Sequence, residues 1–131
     1  MSQSSKLENL SRALQRLIEA AQVAKENDDS IIRDGLIQRF EFTYELVWKA
    51  LKEYFELNGI VDKYSPKSVF KEAYAQNLIN NEQTWLMIID DRNLTSHIYN
   101  ETVAKEIAER IISCYVKEFE VLTQKLAEER E

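Results

Sequence analysis

The sequence predicts an all-α fold: an antiparallel up-and-down four-helix bundle with one extra short helix. Three observations predict it. The 131 residues contain only two Gly and one Pro, whereas an all-β chain needs turn residues about every ten positions. Apolar residues recur at spacings of three and four along much of the chain, the period of helices with one buried face. Hydrophobic residues make up 44% and charged residues 31%, a globular balance that excludes a disordered or collagen-like chain. With no repeat, low-complexity tract or long linker, residues 1–131 are expected to form a single helical domain around one core.

The first helix is predicted from Ser5, where Glu8 three residues on fits a capping box. Its seam is Leu7, Leu10, Leu14, Leu17, Ala21 and Ala24. Asn27-Asp28-Asp29-Ser30 is a polar turn in which Asp29 or Ser30 can cap the next helix. That second helix is predicted from about Ile31 to Asn58, with Gly59 as its stop. It carries two seams. One is Leu36, Phe40, Thr43, Val47, Ala50, Tyr54 and Leu57; the other is Ile37, Tyr44, Trp48, Leu51 and Phe55. Gln38, Glu41, Glu45, Lys49, Lys52 and Glu56 form a narrow polar stripe, as expected of a helix that is central in the bundle, buried in an oligomer, or both.

Ser65-Pro66 is a cap followed by Pro at the first helical position, opening a short helix to about Asn77. A fourth helix is predicted from about Glu82 to Ser96. A last one starts near Glu101, with a seam of Ala108, Ile112, Tyr115, Phe119, Leu122 and Leu126.

Several function classes are excluded. Gly35 and Gly59 stand alone, so neither a dinucleotide fingerprint nor a P-loop is present. A net charge of −6 argues against a general nucleic-acid coat protein, though not against a local basic site. The longest apolar run is Trp85 to Ile89, far short of the roughly 20 residues of a membrane span. The stretch Met1 to Lys6 lacks the apolar core of a secretory signal. No membrane association and a cytoplasmic location are therefore expected. Cys114, the lone cysteine, reads as a small core residue. No cofactor and no metal are expected: paired Glu-x-x-His motifs are missing, and solvated helix charges account for Glu41, Glu45, Asp90 and Asp91.

The one histidine, His97, lies in Asp90-Asp91-Arg92-Asn93-Leu94-Thr95-Ser96-His97-Ile98-Tyr99. On a regular helix Trp85, Ile88, Ile89, Arg92, Ser96 and Tyr99 share one face within about 40° of Trp85. Arg92 thus takes a register that is apolar one and two turns earlier. A guanidinium there needs a carboxylate, a ligand phosphate or a subunit boundary. The plain reading is an ion pair with one of the many acidic residues. His97 falls about 140° from Arg92 on the same helix. For both to serve one substrate, the helix must end or distort near Thr95-Ser96, or the site must be shared between subunits. The plain reading of His97 is a helix C-terminal cap.

Arg92-Asn93-Leu94-Thr95-Ser96-His97, with Tyr99 two residues on, resembles the Arg-x4-His-x-Tyr motif of HEPN domains paired with a minimal nucleotidyltransferase. The stretches Ile37 to Lys49, Ser65 to Ala73, Trp85-Leu86 and Asp91 to His97 are similar to the nucleotidyltransferase substrate-binding protein branch of that family, in order and over nearly the whole chain. The resemblance implies a bundle that forms a homodimer, with Arg92 and His97 facing a cleft at the interface. It also implies a separate nucleotidyltransferase as partner in a toxin–antitoxin type of pair, metal-independent ribonuclease activity, and AMP addition to Tyr99.

Metal-free RNA cleavage needs a base for the 2′-hydroxyl, an acid for the leaving oxygen and a cation for the phosphorane. One chain offers one His; a two-fold dimer offers two copies each of His97 and Arg92. Asn93 and Ser96 are supporting candidates, Asn93 to position a phosphate or orient His97. The alternative is a non-catalytic subunit that binds a nucleotide or the nucleotidyltransferase's substrate, which a net charge of −6 favours against RNA. A scaffold with a vestigial motif is the third reading.

Overall fold

The computed structural model describes residues 5–97 and 100–129. Every regular element among them is helical: α1 (Ser5–Glu26), α2 (Ser30–Leu57), α3 (Pro66–Ala75), α4 (Glu82–Thr95), α5 (Glu101–Arg110), a π-turn (Ile111–Tyr115) and α6 (Val116–Glu129). α5, the π-turn and α6 follow one another without a break, so they act as one long rod beside α1, α2 and α4, with α3 as the short extra helix.

Local chemistry sets the boundaries. Asp29 has extended φ and ψ, and its carboxylate accepts from the backbone N–H groups of Ile31 and Ile32, which starts α2. Asn58 caps the other end, and Gly59 follows at φ 87°, a left-handed conformation where a side chain would be strained. Ser65 and Ser68 exchange side-chain and backbone hydrogen bonds in a capping box, with Pro66 opening α3. α3 ends two residues sooner than the pattern suggests, because Asn77 turns left-handed at φ 62° and the Leu78 N–H reaches back to the Ala73 carbonyl at 2.9 Å. Arg33, 8% exposed, donates to Asp28 and to Glu101, each at 3.1 Å, and so ties the α1–α2 turn to the start of α5.

The buried apolar side chains form one contiguous cluster. α2 packs against α1, α3, α4, α5 and α6. That central place is enough to explain its narrow polar stripe without a subunit contact. The same helix nevertheless holds two large apolar side chains in water, Ile31 and Phe42. Leu57, expected on the first seam, is exposed as well, since α2 ends there. At mid-bundle Phe40 stacks on Phe119 with ring centroids 5.8 Å apart and planes 5° apart, and Trp85 closes on Phe119 at 5.7 Å. Each such ring contributes about 1.5–3 kcal/mol by leaving water.

The last rod departs from the expected regular helix. The π-turn widens the backbone: the Val116 N–H bonds to the Ile111 carbonyl, five residues back. As a result Ile111 is fully buried, and Ile112, expected on the seam, is only half-buried. Cys114 lies in this turn, half-buried, and burial pushes its thiol pKa up, away from nucleophile chemistry.

Candidate functional site

α4 carries the site residues and presents them at its C-terminal end. Its inner face follows the expected register: Trp85 and Ile88 are buried, Ile89 is half-buried, and Arg92 comes next at the rim. α4 ends at Thr95 with Ser96 as its C-cap, and the His97 N–H bonds to the Leu94 carbonyl at 2.9 Å. The helix therefore stops at Thr95, two residues before His97, which is one of the two arrangements that sequence geometry left open for Arg92 and His97 to serve one substrate.

Arg92 meets α2. Its Nη1 lies 3.4 Å from Glu41 Oε2 and 3.2 Å from Thr95 Oγ1, and the Thr95 hydroxyl also donates to Glu41. The arginine and glutamate side chains are 25% and 29% exposed, so the pair sits at the boundary between core and water. The Arg92 Nε is buried and has no hydrogen-bond partner. Tyr44, one turn along α2 from Glu41, is buried, and that burial pushes its phenol up to about 12 while the nearby Arg92 cation pulls it back. A hollow of about 230 Å³ adjoins the pair, lined by Asp34, Ile37, Gln38, Glu41, Thr95 and Ala104. Arg92 thus has a carboxylate, one of the three kinds of partner that its apolar register called for, and its Nε stays unpaired.

The other candidates stand in water. Asn93, Ser96 and His97 are exposed. The Ser96 hydroxyl donates weakly, at 3.4 Å, to the Asn93 carbonyl. Among the described residues no hydrogen bond or ion pair joins the His97 ring to Arg92 or to any carboxylate. Tyr99, expected to carry a modification, lies outside the described residues. No group of three or more His, Cys, Asp or Glu side chains among the described residues is arranged to hold a metal ion.

Sequence reasoning passed over Glu41 and Thr95 as partners of Arg92. Thr95 had a signal, since it lies three residues from Arg92 on the same helix. Glu41 had none beyond its acidity, because its pairing depends on how α4 crosses α2. A larger hollow, about 800 Å³, lies elsewhere, between the end of α1 and the π-turn. Of its cations Lys25, Arg33 and Lys105, the last two are engaged by Asp28, and Arg33, like Arg92, has a buried Nε without a partner. What marks Arg92 is its place at the end of α4, beside the exposed His97, and not the size of the hollow.

The sequence pattern of the family described as nucleotidyltransferase substrate binding protein like matches residues 5–128. "Probable ribonuclease HepT" of Haemophilus influenzae is 34% identical over 90 residues, which cover 63% of this chain and 62% of that relative. The chain therefore aligns with less than two thirds of that protein's length. Two solved structures share the fold. A protein of Thermus thermophilus superposes with a TM-score of 0.81 at 36% identity, covering 89% of this chain and 98% of its own. A Haemophilus influenzae protein, described as revealing the fold of a substrate binding domain of a nucleotidyltransferase, superposes at 0.80 with 27% identity, covering 92% and 98%. No helix among the described residues is long and apolar enough to cross a membrane.

Proposed function

Because the chain belongs to the nucleotidyltransferase substrate binding protein like family, we propose that it works beside a separate minimal nucleotidyltransferase and is itself a metal-independent endoribonuclease of the HEPN type. The observation that carries this reading is Arg92. It is a boundary guanidinium, a quarter exposed and with a single carboxylate partner, at the end of a helix whose next turn exposes His97. In a homodimer two such ends face one RNA strand. One His97 in its neutral form takes the 2′-hydroxyl proton, and the other, protonated, gives a proton to the 5′-leaving oxygen. The 2′-oxygen forms its bond to phosphorus as the bond to the 5′-oxygen breaks. Arg92 carries the extra negative charge of the phosphorane, and Asn93 and Ser96 support the phosphate. A relative named a probable ribonuclease supports RNA as the substrate.

The nucleotidyltransferase silences this site by moving the AMP group of ATP onto the Tyr99 hydroxyl with release of pyrophosphate. The added phosphate competes with RNA for Arg92. The pair acts as a toxin and its antitoxin. Expression of the chain alone tests this directly: wild type arrests growth and His97→Ala does not. Equal growth of the two overturns the reading. Tyr99→Phe checks the control step, since it resists AMP addition and stays toxic beside the partner.

Two observations favour a second reading. Glu41 already neutralises Arg92, and the whole chain carries −6, both of which work against RNA. In that reading the chain is a non-catalytic subunit that binds a nucleotide for the nucleotidyltransferase, in line with how the Haemophilus structure is described. Nucleotide binding without any RNA cleavage distinguishes it.

A further inference from the structure

Asp91, the residue before Arg92, is a carboxylate held almost out of water, its side chain 7% exposed. Three donors converge on it. Arg110 offers Nε at 2.7 Å to one oxygen and Nη2 at 3.0 Å to the other, a bidentate fork. The Tyr115 hydroxyl donates to Oδ2 at 2.5 Å. A buried carboxylate is tolerated when it is paired and both oxygens are satisfied, as here. The hydrogen bond to Asp91 raises the Arg110 pKa, and burial followed by the same carboxylate raises that of Tyr115, so the cation and the neutral hydroxyl both persist.

Arg110 and Tyr115 are five residues apart. On a regular α-helix they point about 140° apart and cannot meet one carboxylate. The π-turn Ile111–Tyr115 narrows that angle, because its five-residue hydrogen bond brings residues spaced by five closer to one face. A widened turn is uncommon in helices and lowers the regularity of the rod. Its effect here is to bring a fork and a hydroxyl onto Asp91. Asp91 and Arg92 are neighbours on α4, one held by the last rod, the other reaching Glu41 on α2.

We infer that Asp91, Arg110 and Tyr115 form a positioning clamp, made by the π-turn, which fixes the rotation of α4 and thereby aims Arg92. Its functional meaning rests on the proposed reading of Arg92 as the phosphate-binding group. None of the three touches the substrate; they act through Arg92.

The test uses the full chain and two readouts. The first is the 15N–1H resonance of the Arg92 Nε, assigned by its loss in Arg92→Ala. The second is cleavage of a short single-stranded RNA in chelator. Tyr115→Phe removes one oxygen and Arg110→Ala removes the fork. Both are expected to stay helical, to shift the Arg92 resonance, and to lower kcat about ten- to a hundredfold with little change in KM, the signature of a misplaced group. Arg110→Lys restores charge without the fork and recovers only part of the loss. An unmoved Arg92 resonance in folded Tyr115→Phe and Arg110→Ala overturns the clamp. So does a Tyr115→Phe chain that unfolds, because the hydroxyl then holds the bundle and does not aim Arg92. If wild type cleaves no RNA, the ribonuclease reading fails and the resonance still decides the clamp.

Discussion

Glu41 competes with RNA for Arg92, and Glu41→Gln is expected to tighten RNA binding. The charges approach to 3.4 Å with about a quarter of each side chain in water. At that distance and an effective dielectric of about 20, their attraction is about 5 kcal/mol. Most of it offsets lost hydration, and a charge-assisted hydrogen bond retains a net of about 1.5–3 kcal/mol. Partial exposure and the long bond lower that to about 1–2 kcal/mol. A phosphate that takes Arg92 must displace this carboxylate. Gln keeps an acceptor for the Thr95 hydroxyl and the shape of the site while removing the charge. The Kd for a labelled single-stranded RNA should fall about five- to thirtyfold. The assay is fluorescence anisotropy in a His97→Ala background with chelator, so that the RNA stays intact. The gain should shrink as salt screens the pair. Unchanged or weaker binding refutes the reasoning and makes Glu41 an anchor of Arg92 instead of its competitor.

Three other outcomes are expected. Phe119→Ala removes a fully buried ring from between Phe40 and Trp85 and should cost about 3–5 kcal/mol in urea unfolding; a loss below about 1 kcal/mol contradicts the packing described. Sedimentation at micromolar concentration should give at least twice the 15.4 kDa chain mass, since one His97 per chain cannot be both acid and base, and a monomer removes the composite site. Tyr44 has its pKa raised from 10.0 to about 12 by burial. The unfolded phenol therefore loses its proton first, so the stability it contributes is intact below pH 10 and is lost as the pH rises towards 12. Tyr44→Phe should flatten that decline in alkaline melts, and an unchanged slope assigns it to other groups.

Much of the architecture was legible because its causes are local. Asp29, the Ser65-Pro66 pair and Gly59 set helix ends through their own backbone chemistry, and each does so where the pattern placed it. The seams of α1 and α2 hold for the same reason, period against burial, up to Leu57, which α2 leaves in water at its end. The π-turn was not legible. Ile111 and Ile112 are chemically alike, so the hydrophobic pattern reads a regular helix through either, and the contact the widened turn makes, Tyr115 to Asp91, lies on another helix. Of the site, the need for an Arg92 partner followed from its apolar register, and the end of α4 near Ser96 was placed by the extent of the fourth helix. That the partner is Glu41 is a matter of how α4 crosses α2, which no local signal carries. Phe42 was left unassigned by both seams of α2, and it stands in water one residue beyond Glu41.

The central claim is that Arg92 and His97 cleave RNA without a metal. The most direct measurement incubates the purified chain with single-stranded RNA in excess chelator and resolves the products by mass. Wild type should yield fragments ending in a 2′,3′-cyclic phosphate, the product of 2′-hydroxyl attack. His97→Ala and Arg92→Ala, each with intact helical content, should slow cleavage at least ~10²-fold. Intact RNA with wild type, or equal cleavage by His97→Ala, contradicts the account.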